Sequence, residues 1–417
     1  MNVKKMYCIF FLVYFTLGLF EAYIGLYIPL FYFEILAVDR HEFAFIQFLG
    51  FLSLIITPLV AYIFDAHIES ERNHKIFVFL CVILLCSCFS IFLINKNILL
   101  LYGIFLGVYF LSRMFIRTIM SKIFLTLSVE SPKIKHHIIL IVNGARGISF
   151  LLVSLFFDFI IKDVYSLPQW EMFFMIGWIL SLPLISIVLF LRNSAIFSNQ
   201  NLKNSDKDIE SKIIKKKHQK RVAWFVVFLY IAFFLASSDL LFLSLVSSWV
   251  LTKYNESSLR IFFSLYYVIA IFALFGYYFA SIIANKISNI FLLFIFCCCY
   301  LFFLVLLPFS NFPIFIVIQC GLAFTGYIAN YMYTSIAQTI SVKTQYKTFV
   351  YQVLLTCQSI ANIIFAPIGT SMSTFFSMEM LIFVSSILFT FSCGILLCLI
   401  LIIKTKKIKD FDNSFLN

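Results

Sequence analysis

The chain has 417 residues, of which 63% are hydrophobic and only 12% charged, and its mean hydropathy is +1.03. A soluble domain is about 45–50% apolar and 25% charged, so this composition does not suit a water-soluble fold. Disordered, collagen-like and disulfide-rich proteins need polar, glycine-rich or cysteine-dense chains, and the composition excludes them as well. It predicts an all-α polytopic membrane protein.

Twelve apolar stretches follow one another along the chain, each long enough to cross a bilayer as a helix. The first begins directly after two lysines, but it is too long for a signal peptide and contains Glu21. The predicted spans are 6–32, 43–64, 76–93, 98–121, 137–161, 172–191, 222–250, 261–284, 290–307, 312–338, 348–371 and 381–403.

The distribution of basic residues predicts the orientation of these spans. With the N-terminus inside, the cytoplasmic segments contain 23 Lys and Arg residues and the outer loops contain 5. This excess places both termini in the cytoplasm, and we expect the membrane to be a bacterial plasma (inner) membrane. The net charge of +12 is then a topology signal, so no nucleic-acid partner is expected.

A long polar stretch after the sixth span divides the chain into two halves of six spans. The predicted units are an N-terminal bundle at 1–191, a basic cytoplasmic linker at 192–221, a C-terminal bundle at 222–403 and a cytoplasmic tail at 404–417. This arrangement resembles the major facilitator superfamily over essentially the whole chain. The resemblance implies two six-helix bundles that rock around a central site, and we expect a monomer in the lipid bilayer.

The loop after the second span resembles the superfamily signature G-x-x-x-D-R-x-G-R-R, although Ala61 and Ala66 replace its first Gly and its first Arg. The resemblance implies gating residues, with Asp65 as the acid and Arg72 and Lys75 as the basic arm. The Pro-Leu-Val that precedes this acid, with the late basic cluster, is similar to the peptidoglycan-fragment permeases and the related acetyl-CoA transporters. The same residues fit equally well an ordinary cytoplasmic loop whose charges only fix the orientation of the neighbouring spans.

Five ionisable residues lie where hydrocarbon is expected, and each is therefore a functional candidate. Glu21 and Asp239 occupy similar depths in spans 1 and 7, so we expect both to face one central cavity as proton-coupling carboxylates. Arg113 and Arg146 are the candidate substrate-binding cations, because a guanidinium grips carboxylate or phosphate with two donors. Arg117 lies nearer the cytoplasmic face, where a structural, snorkelling role fits better.

Three arginines against two acids give the predicted cavity a positive balance, which favours an anionic solute. The alternative is that these residues form internal ion pairs that lock the bundle and bind no solute. Both interpretations agree with the sequence.

Polar side chains also recur at helical spacing in the second half of the chain. They either bind a polar solute or form hydrogen bonds between helices. The candidate substrate-binding residues among them are Asn330 and Thr334 on span 10 and Gln358 on span 11.

Further residues carry the resemblance to the peptidoglycan-fragment permeases. The run from Gly144 to Gly147, which contains Arg146, resembles their fifth helix, and Thr344-Gln345-Tyr346 resembles an element at the same place. Arg113 and Arg117 stand where those permeases carry two acids. The resemblance implies a muropeptide as an alternative substrate, and the reversed charge argues against proton coupling through span 4.

The sequence predicts a secondary active transporter that moves a polar, anionic small solute by ion-coupled alternating access, as a symporter or permease. It contains no Gly-x-Ser-x-Gly, Walker or His-Glu-x-x-His motif, so no enzyme activity, cofactor or metal is expected. Two alternatives remain at this point: a membrane enzyme or lipid-handling protein that uses the same buried charges, and a degenerate superfamily member that does not transport.

Overall fold

The computed structural model describes residues 3–66, 71–130, 132–181, 216–284, 287–342 and 346–405. In these residues the chain forms helices and no strands, grouped into twelve stretches. Their bounds are α1 (Val3–Ala22, Tyr23–Tyr27, Ile28–Leu30 and Phe31–Ile35), α2 (Arg40–Phe51, Leu52–Ile56 and Thr57–Ala66), α3 (Glu71–Ile94), α4 (Leu99–Glu130), α5 (Pro132–Ile160), α6 (Leu167–Ser181), α7 (Lys216–Ala236, Ser237–Asp239, Leu240–Leu243 and Val246–Lys253), α8 (Glu256–Ser264 and Tyr266–Ile283), α9 (Asn289–Leu306 and Leu307–Phe309), α10 (Phe312–Val342), α11 (Lys347–Met372) and α12 (Met378–Thr405).

Ten of these stretches are long and apolar enough to cross a membrane. The other two, α3 and α6, are apolar as well: α3 contributes the shorter apolar helix Phe79–Ile94, and the described part of α6 has 15 residues. The predicted all-α fold with twelve helices is confirmed, and the chain is an integral multi-pass membrane protein. Residues 192–215 of the predicted linker and 406–417 of the predicted tail lie outside the described part.

Several helices that the sequence predicts as continuous are irregular, among them α1 and α7. In α1, π-helical turns lie on both sides of Pro29, which has no backbone N–H to donate. In α7, a 3₁₀ turn at Ser237–Asp239 and a turn before Val246 interrupt the α-helix. Hydropathy reports the length of an apolar run and not its internal hydrogen bonding, so neither interruption was expected.

The helices pack as two halves. In the first half α1 packs along α5, and α3 along α4; in the second half α10 packs against α8 and α9, and α7 against α12. The halves meet through α5 with α8 and through α2 with α11. This arrangement brings α1, α4 and α5 to face α10 and α11 across the middle of the molecule.

A glycine fixes the approach of α11 to the broken part of α7. A Cβ atom at Gly369 would lie 1.7 Å from the carbonyl oxygen of Leu241, so only glycine fits there without moving a helix. We expect Gly369→Ala to lower the free energy of unfolding by about 3 kcal/mol, at the upper end of overpacking costs, measured by denaturant titration in detergent.

Gly394→Ala is the matched control for this prediction, because a Cβ atom at Gly394 of α12 meets no other atom within 4 Å. We expect Gly394→Ala to leave stability unchanged or slightly raised, since alanine is the better helix former. Equal stability of the two variants would contradict the close packing of α7 on α11.

Candidate functional site

The buried charges of the first half form a triad around Glu21. One carboxylate oxygen of Glu21 accepts hydrogen bonds from Nε of Arg146 at 2.9 Å and from an Nη of Arg146 at 2.5 Å. Its other oxygen forms a salt bridge with the guanidinium of Arg113. The Glu21 side chain is 11% exposed, and the two arginine side chains are 16% and 28% exposed. The triad thus joins α1, α4 and α5 near the middle of their lengths.

Close contact between α1 and α5 makes this triad possible. A Cβ atom at Gly18 would lie 2.9 Å from the side chain of Ser149 and 3.0 Å from Cα of Arg146, so the glycine lets the helices touch one turn before Glu21. Ser149 adds a hydrogen bond to the backbone oxygen of Phe15, also across the two helices. Gly18 therefore lets the backbone of α5 approach α1 beside Glu21.

A central cavity of about 70 Å³ lies between the two halves, beside this triad. It receives side chains from α1, α4 and α5 on one side and from α10 and α11 on the other. The residues that line it are Phe10, Tyr14, Arg117, Ser121, Phe124, Ile138, Ile139, Val142, Asn143, Arg146, Asn330, Thr334, Tyr351, Leu355 and Gln358. Four of the five predicted substrate-binding residues therefore come together, and Arg113 is the exception.

The two arginines of α4 have exchanged the roles that the sequence suggested. Arg113 is held by Glu21 and does not line the cavity, whereas Arg117, expected to be structural, lines it. Among the described residues Arg117 has no hydrogen bond or ion pair, and its charged neighbours include Arg113, Arg146 and Glu21. Arg113 thus has a carboxylate partner, and Arg117, one helical turn further along α4, has none in the described part of the chain.

Three further polar side chains in the cavity lack hydrogen-bond partners within the described part of the chain: Asn143, Thr334 and Gln358. These side chains are partly exposed and share the cavity with Arg117, so they are open to hydrogen bonding with a bound molecule. A polar ligand would supply their partners. Sequence reasoning missed Asn143, although it lies three residues before Arg146 and so on the same face of α5.

A tyrosine pair connects the triad to the second half. Asn330 donates a hydrogen bond to the hydroxyl of Tyr277 at 3.3 Å, and the Tyr277 and Tyr327 rings pack edge to face at 4.9 Å. Both tyrosines lie close enough to Arg146 to interact with it electrostatically. The arginine that binds Glu21 therefore also interacts electrostatically with the second half.

Asp239 lies apart from this site. Its carboxylate accepts a hydrogen bond from the hydroxyl of Tyr300 on α9 at 2.7 Å, and the Tyr300 ring stacks on Phe389 of α12. It does not line the central cavity. The structure therefore does not bring Glu21 and Asp239 to one cavity, because equal depth along two helices does not fix the direction in which each side chain points.

The two halves touch at both ends of the molecule. At the end where α1 finishes, which we call the distal end, Arg40 donates to the backbone oxygen of Ser373 at 3.2 Å, and His41 contacts the hydroxyls of Ser371 at 2.6 Å and Thr374 at 2.9 Å. Residues 371–374 belong to the end of α11 and the turn that follows it.

At the opposite, proximal end, Gln352 of α11 donates to Ser121 of α4 at 2.9 Å. The Tyr62 ring of α2 also packs on the ring of Phe349 at 5.9 Å. Ligand pockets usually measure about 300–1,000 Å³, so the central cavity of about 70 Å³ is narrow for an organic solute. The predicted gating side chains of Asp65, Arg72 and Lys75 lie outside the described part, as do Thr344 and Gln345.

A polar, positively charged cavity between two six-helix halves defines a class of protein, the helical membrane transporters. The chain matches the family model of the Major Facilitator Superfamily over residues 10–342, and it belongs to that superfamily. It is therefore a transporter of small-molecule solutes and not an enzyme, which removes the membrane-enzyme alternative.

Solved transporter structures share this fold at low sequence identity. The D-xylose-proton symporter has a TM-score of 0.67 at 11% identity, covering 95% of this chain and 97% of that one. The nucleoside transporter NupG has a TM-score of 0.65 at 12% identity, with 96% and 99% covered. The human organic anion transporter MFSD10 (TETRAN) has a TM-score of 0.64 at 12% identity, with 95% and 100% covered. The curated proteins contain no match to the chain.

Proposed function

We propose that this protein is a secondary transporter that carries a small anionic solute through the central cavity by alternating access, coupled to protons. The observation that carries the proposal is the uncompensated guanidinium of Arg117 inside a cavity that both halves line. Arg113, Arg146 and Arg117 with Glu21 leave a net charge of +2 around the cavity. An anion would lower the electrostatic cost of that charge in a low-dielectric site.

The polar groups around Arg117 suit an anion that has a hydrogen-bonding body. A guanidinium binds carboxylate or phosphate with two parallel donors. Arg117 lines the cavity with its donors unpaired in the described part of the chain, whereas Nε and one Nη of Arg146 already donate to Glu21. The amides of Asn143 and Gln358 and the hydroxyl of Thr334 supply donors and acceptors on the facing helices. Arg117 and Arg146 would bind the charged group, and the other three residues would orient the rest of the solute.

Movement of the halves supplies the transport step in this proposal. Contacts at the distal and proximal ends join the two halves on either side of a cavity that is narrow for a solute. A solute must therefore enter when one set of end contacts opens and leave when the other set opens. We propose that the proximal end is cytoplasmic, as the basic residues predict, and that the membrane is the bacterial plasma (inner) membrane.

Glu21 offers a route for proton coupling. The Glu21 carboxylate already accepts hydrogen bonds from Nε and an Nη of Arg146. A bound anion that used the same two nitrogens would therefore compete with Glu21. When the solute takes these donors, the Glu21 carboxylate loses part of its compensation and binds a proton more readily. Asp239, which pairs with Tyr300 in the second half, remains a second proposed proton carrier.

A panel of solutes tests the proposed class of substrate. We expect dicarboxylates, sugar phosphates, nucleotides or muropeptides to raise the thermal unfolding temperature of the purified protein, and neutral sugars and organic cations to leave it unchanged. A ligand at one hundred times its dissociation constant stabilises by about 2.7 kcal/mol, which such a scan resolves. Stabilisation by cations alone would overturn the anionic substrate.

A further inference from the structure

A second cavity, separate from the central one, lies between the halves at the distal end. Its volume is about 350 Å³, within the range of small-molecule pockets. Arg40 at the start of α2 contributes from the first half, and Trp249 and Lys253 of α7 and Glu379 of α12 contribute from the second. None of these residues lines the central cavity.

Two of the three guanidinium nitrogens of Arg40 donate no hydrogen bond in the described part of the chain. One of its Nη atoms donates to the backbone oxygen and the hydroxyl of Ser373, at 3.2 and 3.1 Å. Its Nε and second Nη donate to no residue in the described part of the chain, and no carboxylate there pairs with it. These two nitrogens form the edge of a guanidinium that binds carboxylate or phosphate with two parallel hydrogen bonds.

The other charges in the cavity compensate one another. Nζ of Lys253 donates to the backbone oxygen of Pro308 at 2.8 Å, lies 4.4 Å from the centre of the Trp249 ring and lies 4.0 Å from Oε1 of Glu379. Glu379 also accepts a hydrogen bond from Nε1 of Trp249 at 3.1 Å. Arg40 is thus the uncompensated charge among the residues that line the cavity.

We propose that this distal cavity is a second anion-binding site, which takes a small carboxylate-bearing or phosphate-bearing molecule on the free edge of Arg40. The hydroxyls that line the same cavity already donate elsewhere: Ser248 to Glu34 at 2.7 Å, Thr252 to backbone oxygens and Ser377 to Glu379. The free edge of Arg40 therefore supplies the donors for the bound molecule. The site stands on its own residues, so it binds an anion whether or not the central cavity does.

Occupancy of this site favours the closed distal end. Arg40 belongs to the first half and the rest of the lining to the second, so a bound molecule contacts both halves only while they are together. A ligand shifts a conformational equilibrium by its difference in affinity for the two states. An anion in the distal cavity therefore holds the distal route shut.

Trp249 provides a fluorescence reporter inside the proposed site. The chain has four tryptophans, and the difference between the spectra of the wild-type protein and Trp249→Phe isolates the signal of Trp249. We expect iodide, an anionic quencher, to quench this signal at least twofold more strongly than caesium does. Succinate or inorganic phosphate, titrated at constant ionic strength, is expected to protect Trp249 from iodide saturably.

Three variants complete the experiment on the full-length protein. Arg40→Gln should abolish both the preference for iodide and the protection, and Arg40→Lys should keep the preference but lose the protection. Arg260→Gln, at the distal end but outside the cavity lining, should behave as wild type. Protection by succinate, by phosphate or by both supports the site and identifies the preferred anion. An iodide preference without saturable protection, or protection that survives in Arg40→Gln, would overturn it.

Discussion

Replacement of Glu21 by glutamine is expected to lower the free energy of unfolding by about 3–5 kcal/mol, because it leaves a group of arginines without their counter-charge. The carboxylate is shared by Arg113 and Arg146, and Arg117 lies on the same face of α4 one turn away. Glutamine has nearly the same shape, so the change removes charge without leaving a cavity. Denaturant titration of the purified protein in mixed micelles measures the effect.

Two controls separate the charge effect from a general loss of packing. The double variant Glu21→Gln with Arg113→Gln lowers the remaining positive charge, and we expect it to recover a substantial part of the lost stability. Glu171→Gln removes the acid from a surface ion pair, in which Nζ of Lys96 lies 2.8 Å from Glu171 and the acid is 49% exposed. Glu171→Gln should lower the free energy of unfolding by less than about 1 kcal/mol. A Glu21→Gln variant as stable as the control would show that the triad does not hold the first half together.

Replacement of Arg117 by glutamine is expected to weaken binding of the transported anion about 10- to 100-fold, which corresponds to a lost charge-assisted hydrogen-bonding group. Stability should be unchanged or slightly higher, because Arg117 has no partner in the described part of the chain and repels Arg113 and Arg146. Ligand titration by thermal shift or calorimetry measures both quantities on the same sample.

Arg117→Lys is the matched variant for this second prediction. It keeps the positive charge but removes the fork of parallel donors, so its affinity for the anion should lie between those of the wild type and Arg117→Gln. Equal affinity in all three proteins would remove Arg117 from the binding site. A large loss of stability in Arg117→Gln would instead assign the residue a structural role, as its position in the sequence suggested.

The fold could be predicted from the sequence because each helix crosses the bilayer as a long apolar run. Except for the polar stretch after the sixth span, the breaks between these runs are short, and hydropathy finds ten of the helices by length and composition. The interruption of α7 at residues 237–245 was not predictable in this way. These residues include Ser237, Ser238, Asp239 and Ser244, but they lie in a stretch that is apolar enough overall to read as one span, and hydropathy does not register the break.

The site was predicted in part, because depth in the membrane can be read from sequence and rotation about a helix axis cannot. Glu21, Arg113 and Arg146 were recognised as charges inside the predicted spans, and they do meet. Asp239 has the same depth but faces α9. Its direction depends on the helical irregularity at Ser237–Asp239, which no periodicity indicates.

The division of roles between Arg113 and Arg117 also required the structure. Both residues lie on one face of α4, and only the register between α4 and α1 decides which of them reaches Glu21. One sequence signal did bear on this question. The spans of the first half contain three arginines but just one acid near mid-membrane, so at least one arginine had to lack a carboxylate partner.

The central claim, that Arg117 binds an anion which the protein carries across the membrane, is tested most directly by uptake into proteoliposomes. The solute is the anion that gives the largest thermal stabilisation, and the proteins compared are the wild type and Arg117→Gln at equal incorporation. The account predicts saturable uptake by the wild type and uptake at least tenfold lower in the variant. Equal uptake by both proteins, or saturable uptake of cations but of no anion, would contradict it.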